Sequence, residues 1–298
     1  MFKKIDFFTH ILTPKYLERF ESLNPKITSR VEYNSIPGKN VEVRARVMSR
    51  NPDVLQVLTM GNIPLEKWAP PEHTAELARI GNEELAELLT YRPDLFYGAA
   101  AVLPLNDVDA SVEEADYAIK KLRLSGIQVP TRIGSEWLAS EKYRPILAKM
   151  AELKKPIWIH PDDNDQLDDD YGRLNWPFET SHCMMRLVDS RVFDEFPDLK
   201  FIVHHAGAMI PTFRNRLGTS LYKNFYVDTA LYGNTAGLMN AYDYFGADHM
   251  LFATDSPYGP PLGIVEETIL SVHKMAIPDE DKEKIFRYNA VGIIKGSI

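Results

Sequence analysis

The sequence has only one cysteine, Cys183, and it has no excess of positive charge. A single cysteine excludes a disulfide within the chain, and its place in the helical pattern SHCMMRLV predicts a small buried side chain. The 34 basic and 42 acidic side chains give a net charge of −8, whereas nucleic-acid-binding proteins usually present a basic face. We therefore expect neither a nucleic acid nor an anionic membrane surface as a partner.

Long apolar runs and several well-known motifs are also missing. The N-terminal segment MFKKIDFFTHILTP has no apolar run long enough for a signal peptide or a membrane span, so we expect a cytoplasmic protein. No GxGxxG follows the first apolar run, and there is neither a GxSxG nor a GxxxxGK[ST] motif. These absences disfavour a dinucleotide-binding fold, a serine nucleophile on a sharp turn and a phosphate-binding P-loop.

Eight short apolar runs, most of them followed by a helical pattern, are what the sequence does contain. Continuously apolar runs are typical of parallel strands covered on both faces. Repeated strand–helix units over 298 residues favour the α/β class and a closed (β/α)8 barrel, the TIM barrel. The predicted strands are 5–10, 54–59, 96–102, 126–130, 156–160, 200–205, 224–229 and 249–255, and the predicted helices are 72–91, 112–122, 142–153, 181–188, 212–217, 235–244 and 264–273.

Two long segments interrupt this alternation within what we expect to be a single domain, residues 1–298. Residues 13–52, after the first strand, predict a small insertion near the barrel mouth. Residues 161–180 predict a long loop. Its acidic run, DDNDQLDDD, lacks the glycine and the final glutamate of an EF-hand loop, so we expect a solvated loop rather than a calcium site.

Polar side chains that can bind a metal end four of the eight predicted strands. His10 ends the first, His160 the fifth, His204 and His205 the sixth, and Asp255 the eighth. Catalytic groups of barrel enzymes lie at the carboxyl ends of the strands, so we expect these side chains at one rim. Imidazole nitrogens together with a carboxylate suit zinc or a similar divalent ion. The pattern therefore predicts a metal-dependent active site.

The motifs around these residues resemble the amidohydrolase superfamily, and within it the branch of aminocarboxymuconate-semialdehyde decarboxylase and the resorcylate-type decarboxylases. The matching stretches, in family order, are IDFFTHIL, VEVRARVM, KWAPPEHT, GIQVP, PIWIHP, KFIVHHAGAMIP and LFATDSPYG. The resemblance implies that His10, His160 and Asp255 are metal ligands. It also implies catalytic roles for Asp255 and for His205, the histidine that lies beside the metal and handles the proton. On that frame His204 is expected to point away along the strand.

The first strand departs from the family's pattern. The family usually has two ligands there, as Asp-x-His-x-His or with a glutamate at the earlier position, and Phe8 occupies the earlier position in this chain. Phenylalanine cannot coordinate a metal, but three protein ligands plus water are common at catalytic zinc sites. Zinc is therefore the expected ion, with manganese as the alternative. If Phe8 prevents metal binding, the alternative is a metal-free barrel with a binding role.

Further residues are candidates for contacts around the substrate. The resemblance places Arg46, in VEVRARVM, against a substrate carboxylate, which a guanidinium binds in a bidentate fork, and Arg44 is its neighbouring competitor. Trp68 and Trp176 are expected to wall the pocket. Glu179 is expected to orient a ligand histidine.

The resemblance implies non-oxidative decarboxylation of a small aromatic or unsaturated carboxylic acid. The same barrel and ligands would also serve the hydrolysis of a lactone or related ester, in which the metal polarises the carbonyl and Asp255 takes the proton. Related decarboxylases are often dimers or tetramers, so the resemblance also implies a homo-oligomer.

Overall fold

The barrel predicted from the eight apolar runs is present. The computed structural model describes residues 2–29, 34–61, 64–161, 172–217, 222–258 and 264–295. Eight parallel strands follow one another in chain order around a nearly closed barrel, which confirms the predicted (β/α)8 class. The strands are β1 (Lys4–Ile11), β2 (Val54–Met60), β3 (Phe96–Val102), β4 (Gly126–Pro130), β5 (Ile157–His160), β6 (Phe201–Val203), β7 (Phe225–Asp228) and β8 (Met250–Leu251).

The last strand is shorter than predicted, but the chain after it continues beside β1. The backbone N–H of Phe7 donates to the carbonyl of Phe252 at 2.8 Å, and that of Asp255 donates to Phe8 at 3.1 Å. The N–H of His10 donates to the carbonyl of Ser256 at 2.8 Å. These bonds join the first strand to the eighth segment and bring Asp255 next to His10.

Strand side chains divide between two cores because they alternate from one face to the other. The outer core faces the helices, and the inner core fills the barrel. Because the alternation has a period of two, a polar residue two positions after an inner-core residue on the same strand also faces the inside of the barrel. The strand residues of the inner core are Ile5, Phe7, Phe8, Val57, Ala100, Trp158, Ile202, Tyr226 and Leu251.

Helices follow the strands, as predicted, but the helix after β3 begins at Val108 rather than at Val112, and the two helices after residue 278 were not predicted. Several begin at a polar residue whose side chain accepts a backbone N–H: Asp107 accepts from Ala110, and Asn234 accepts from Gly237, both at 3.0 Å. No helix among the described residues combines the length and the apolar character needed to cross a membrane. The helices are α1 (Pro14–Leu23), α2 (Ile36–Lys39), α3 (Val41–Met48), α4 (Leu65–Trp68), α5 (Thr74–Tyr91), α6 (Val108–Lys120), α7 (Arg144–Leu153), α8 (Gly172–Asp189), α9 (Val192–Glu195), α10 (Arg214–Leu217), α11 (Thr235–Phe245), α12 (Ile264–His273), α13 (Asp279–Glu283) and α14 (Asn289–Lys295).

The predicted loop at 161–180 is wrong in its second half, because α8 begins at Gly172 rather than at Ser181. Pro177 lies inside this helix, and proline normally indicates a helix end. The acidic run at 162–170 lies outside the described residues. Cys183 is buried in α8, as predicted.

Three α-helices, α1 to α3, lie in the described part of the chain between β1 and β2, and buried polar contacts hold α1 and α3. The backbone N–H groups of Lys15 and Tyr16, at the start of α1, donate to the carboxylate of Glu84 on α5 at 3.0 and 2.8 Å. A carboxylate at this position satisfies N–H groups that have no partner within the helix and complements the helix dipole. On α3, Arg44 donates to the carbonyl of His10, which attaches this helix to the end of β1.

Candidate active site

Four buried side chains meet at the carboxyl ends of the barrel strands. His10 belongs to β1, His160 ends β5, His204 follows β6, and Asp255 follows the shortened β8. One ligand atom of each lies within 4.8 Å of the others, and such a group can hold a metal ion. The structure thus brings together the three residues predicted as metal ligands and adds His204 to them.

The hydrogen bonds of His10 show that a cation fits between it and Asp255. The Thr59 hydroxyl donates to the carbonyl of Thr9 at 3.1 Å, so it accepts from Nδ1 of His10 at 2.8 Å. A neutral imidazole carries one proton. Its Nε2 therefore presents a lone pair to Oδ1 of Asp255, 2.9 Å away. Two acceptor atoms so close are stabilised by a shared metal ion or by a second proton on His10, so the donor set fits a divalent ion.

Asp255 is held in place and kept ionised by its neighbours. The Tyr232 hydroxyl donates to its Oδ2 at 2.6 Å. Burial raises the pKa of the Asp255 carboxyl, but the His10 imidazole 2.9 Å away and the other nearby histidines lower it more, so the pKa lies well below its ordinary value. The backbone of Asp255 has φ of 65°, in the left-handed region that residues other than glycine rarely adopt. Such strain is found mostly at functional sites.

His160 is prepared as a neutral ligand. Its Nδ1 lies 2.7 Å from the carbonyl of Pro161, which can only accept, so Nδ1 carries the proton and Nε2 carries the lone pair. Burial, followed by the neighbouring His204 and His10, lowers the pKa of His160 well below its ordinary value. A neutral imidazole with its second nitrogen fixed by a carbonyl is the form in which histidine usually binds a metal.

His204 lies in the cluster, so the expectation that it points away from the site is wrong. Ile202 belongs to the inner core, and a side chain two positions further along the strand faces the same way. Nδ1 of His204 donates to Oδ2 of Asp228 at 2.5 Å, while its buried Nε2 has no partner. Burial lowers the pKa of His204, although the Asp228 carboxylate opposes this. The lone pair on Nε2 is thus available to a metal ion or a proton.

His205 lies outside the four-residue group, next to His204. Its backbone has φ of 59°, so the alternation of the strand ends before it. Its Nδ1 lies 3.0 Å from the carbonyl of Ala230, and its ring stacks on His204 with 5.1 Å between centroids. With His204 and Asp228 it forms a second group whose ligand atoms lie within 4.8 Å of one another. The predicted proton-handling role of His205 therefore has a nearer competitor in His204.

Phe8 packs where the missing ligand was expected. A register shift in β1 between Asp6 and Thr9 allows both Phe7 and Phe8 to enter the inner core. The ring of Phe8 stacks on His204, with 3.3 Å between centroids and 14° between the planes. Phe8 therefore supplies packing that holds the His204 ring.

The two arginines of VEVRARVM differ in burial. Arg46 is exposed on α3, whereas Arg44 is buried. Two residues of a helix are separated by about 200° around its axis, so the two arginines face opposite ways. Arg44 donates to the carbonyls of Pro37 (3.2 Å) and His10 and to Oε1 of Gln56 (2.9 Å). The buried arginine of VEVRARVM thus supports β1 and β2.

The remaining sequence candidates are two tryptophans and a glutamate. Trp68 on α4 and Trp176 on α8 are half-buried, and neither is among the described residues that line the cavity beside His160. Glu179 is buried and accepts from Arg132 at 2.9 Å and from Thr131 at 3.4 Å. It was expected to orient a ligand histidine, but the Nδ1 bond of His160 goes to Pro161.

Three partners of the cluster were not predicted from the sequence. Asp228 is the most important, because its Oδ1 accepts the backbone N–H groups of His205 (2.7 Å), Ala206 (3.3 Å) and Ala230 (3.0 Å). Asp228 is the second-to-last residue of the predicted strand NFYVDT, directly after its apolar residues, so a search of the last two strand positions for metal-binding side chains would have found it. Thr59 ends the predicted strand 54–59, but a hydroxyl is not a usual metal ligand, so the criterion passed over it, and Tyr232 has no comparable sequence signal.

A mostly apolar cavity opens beside His160, between the carboxyl ends of β2 to β5. Its lining includes Met60, Leu65, Val102, Leu105 and Gln128. Its volume of about 30 Å³ is room for about one water molecule, so the described residues leave no space there for a substrate ring.

Comparisons with known proteins agree with this geometry. A family model described as amidohydrolase matches residues 10–293. The chain is 28% identical to 6-methylsalicylic acid decarboxylase of Penicillium expansum over 235 residues, which cover 71% of this chain and 72% of the relative. A crystal structure of 2,6-dihydroxybenzoate decarboxylase complexed with 2,6-dihydroxybenzoate superposes with a TM-score of 0.83 at 25% identity, over 99% of this chain and 100% of that one.

A second solved structure shows the same fold. It is a dihydroxybenzoic acid decarboxylase from Polaromonas sp. JS666 with bound manganese and the inhibitor 2-nitroresorcinol. The TM-score is 0.81 at 22% identity, over 100% of this chain and 98% of that one. Because the family model spans almost the entire sequence, the chain belongs to the amidohydrolase family.

Proposed function

We propose that this protein is a metal-dependent carboxy-lyase that removes CO2 from a small aromatic carboxylic acid without oxidation. The observation that carries the proposal is the convergence of His10, His160, His204 and Asp255 at one point where the barrel strands end. The decarboxylase names of the relatives favour a carboxy-lyase over a hydrolase of the same fold.

His10, His160 and Asp255 are the residues that would hold the ion. Two imidazole nitrogens and a carboxylate, with water in a further position, are a usual zinc donor set, so zinc is our first choice. Manganese, held by the solved relative from Polaromonas, is the alternative. When bound, the ion supplies Lewis-acid polarisation and a fixed position for the substrate carboxylate.

His204 is the residue that we propose to deliver the proton in the reaction. Asp228 fixes the proton on Nδ1, so Nε2 is the atom that takes up a proton from the solvent and delivers it to the ring carbon bearing the carboxylate, one proton being consumed for each CO2 released. The C–C bond to the carboxylate then breaks, its electron pair restores the aromatic ring, and CO2 leaves. Asp228 stabilises the imidazolium that forms before the transfer, as a carboxylate partner of histidine does in other enzymes.

The test combines metal analysis with CO2 release. Purified protein is expected to contain close to one divalent ion per chain and to release CO2 from at least one hydroxybenzoate. Asp255→Ala is expected to lose the ion and to lower kcat/KM by about 10³-fold, because a bound ion contributes several kcal/mol. The matched control is Asp243→Ala, which removes an exposed carboxylate and is expected to keep both.

Two results would contradict the proposal. Hydrolysis of lactones without CO2 release from any aromatic acid would make the protein a hydrolase. A protein that binds no ion after reconstitution would leave a barrel with a binding role.

Two further expectations from the sequence, the oligomeric state and the cellular location, stay predictions. One is a homo-oligomer, either a dimer or a tetramer, which light scattering of the purified protein measures. The other is a cytoplasmic location, which fractionation of cells that express the protein measures.

A further inference from the structure

The loop between β7 and α11 brings a tyrosine hydroxyl to Asp255, one of the predicted metal ligands. The Tyr232 hydroxyl donates to Oδ2 of Asp255 at 2.6 Å. Oδ1 of the same carboxylate lies 2.9 Å from Nε2 of His10, so it faces the group of side chains that can hold an ion. A phenol keeps its proton at neutral pH, so the hydroxyl can serve as the donor. The two oxygens of Asp255 therefore have different partners.

The backbone on both sides of this hydrogen bond has an uncommon conformation. Tyr232 has φ of 49° and Gly233 has φ of 90°. The backbone N–H of Asn234 donates to the carbonyl of Leu231 at 3.0 Å, which closes a turn around these two residues. Turns with positive φ at both central positions usually have asparagine, aspartate or glycine at the first of them, not tyrosine.

Asp255 itself has φ of 65°, so two residues with a side chain and a left-handed backbone are joined by one hydrogen bond. They come from different strand ends, since Tyr232 follows β7 and Asp255 follows β8. Such conformations cost free energy and are concentrated at functional sites. The bond between Tyr232 and Asp255 is therefore a candidate for a functional contact.

We propose that Tyr232 is a positioning residue that restricts Asp255 to one oxygen at the ion. This inference rests on the metal-dependent function proposed above. A carboxylate binds a metal ion through one oxygen or through both. Because Tyr232 holds Oδ2, Oδ1 is the oxygen left for the ion. The position that a second oxygen would take stays open for the substrate, and an open position is what distinguishes catalytic metal sites from structural ones.

The experiment compares Tyr232→Phe with the wild type after both are loaded with cobalt(II). Phenylalanine keeps the ring and removes the hydroxyl. Cobalt(II) binds to nitrogen and oxygen ligands as zinc does, and its visible absorption weakens as the number of ligands increases. The variant is expected to bind as much cobalt as the wild type but to absorb more weakly, because Oδ2 becomes free to join Oδ1 at the ion. A loss of folding stability alone would not change the spectrum of the loaded protein.

Steady-state kinetics on an aromatic acid gives a second readout from the same samples. A second carboxylate oxygen at the ion would compete with the substrate for the open position. KM of Tyr232→Phe is therefore expected to rise by about 10–100-fold, the usual effect of removing an outer partner of a metal ligand. The change in kcat is expected to be smaller, since a saturating substrate displaces the second oxygen.

Tyr242→Phe is the matched control. The Tyr242 hydroxyl donates to Oδ2 of Asp281 at 2.7 Å, so the same two groups are paired at nearly the same distance. This pair joins α11 to α13, outside the four-residue group. Both variants lose a tyrosine–aspartate hydrogen bond, so any effect of the lost bond on stability appears in both. Tyr242→Phe is expected to keep the cobalt spectrum and the KM of the wild type.

The outcomes separate this inference from the proposed reaction. An unchanged cobalt spectrum in Tyr232→Phe would overturn the inference, whatever happens to KM and even if the wild type releases CO2. Loss of the ion from Tyr232→Phe would also overturn it, because Tyr232 would then be required for ion binding itself. A weaker spectrum in the variant, without CO2 release from any aromatic acid by the wild type, would support the inference and contradict the decarboxylase.

Discussion

The two halves of the barrel mouth are built from different kinds of side chain. The half formed by β1 and β6 to β8, here the charged half, holds His10, His204, Asp228 and Asp255, all of them buried. His204 donates to Asp228 at 2.5 Å, and His10 lies 2.9 Å from Asp255. The half formed by β2 to β5, here the apolar half, is lined mostly by aliphatic side chains, with Gln128 as its polar exception. His160 ends β5 and lies at the border between them.

This difference indicates where the chemistry occurs. Fixed charges and donors in a water-poor site stabilise charge that develops during a reaction, so the charged half is suited to the chemistry. The apolar half has room for about one water molecule beside His160, so it is suited to packing rather than to holding a substrate ring. Changes in the charged half are therefore expected to lower kcat.

The largest effect is expected from removing the proton carrier of the charged half. His204→Ala is expected to lower kcat on an aromatic acid by about 10²–10⁴-fold, which is the usual contribution of a positioned acid or base. Asp228→Asn changes the carboxylate partner of His204. It is also expected to lower kcat, because an asparagine cannot stabilise the imidazolium. Steady-state kinetics measures both.

His205→Ala is the comparison variant for this prediction. Its loss of kcat is expected to be at least about tenfold smaller than that of His204→Ala, because His205 lies outside the four-residue group. A larger loss for His205→Ala would return the proton to His205, as the family resemblance implied.

A second, smaller effect concerns Asp6, which lies under the charged half. Burial raises the pKa of Asp6 from 3.8 to about 7, against the lowering effect of its bonds with Thr254 and Gln56. A carboxyl with a raised pKa favours the folded state fully below pH 3.8 and loses this contribution as the pH rises to about 7. Asp6→Asn does not titrate, so the stability of the wild type relative to the variant is expected to fall between about pH 4 and 7, by at most about 4 kcal/mol.

Urea unfolding at several pH values measures this difference. The control is Asp198→Asn, an exposed aspartate, for which the difference from the wild type is expected to stay flat over the same range. A flat difference for Asp6→Asn as well would show that Asp6 is ionised in the folded protein.

The smallest effects are expected from the two arginines of α3. Arg44→Met removes three bonds to Pro37, Gln56 and His10, so the free energy of unfolding is expected to fall by about 2–3 kcal/mol. Arg46→Met changes an exposed side chain on the same helix and is expected to stay within about 0.5 kcal/mol. Denaturant unfolding measures both, and an Arg46→Met variant with a strongly raised KM would restore Arg46 as a substrate-binding residue.

The limits of the sequence prediction follow from particular residues. Cys183 and the eight strands were predicted correctly, because apolar runs and their spacing are local properties. The start of α8 was missed because Pro177 indicates a break that the helix tolerates. His204 was assigned to the outside because its neighbour fitted the family frame, although the alternation from Ile202 indicates the inner face.

The sequence by itself determined the barrel, the rim at which polar side chains would gather, and three of the four residues in the cluster. These depend on a period of two along strands and on the rule that carboxyl ends of parallel strands share one rim. Only the tertiary structure decided which nitrogen of each histidine carries the proton, which arginine is buried, and that Tyr232 donates to Asp255. These properties depend on partners far apart in the chain, such as Thr59 for His10 and Tyr232 for Asp255, whose distances no local pattern contains.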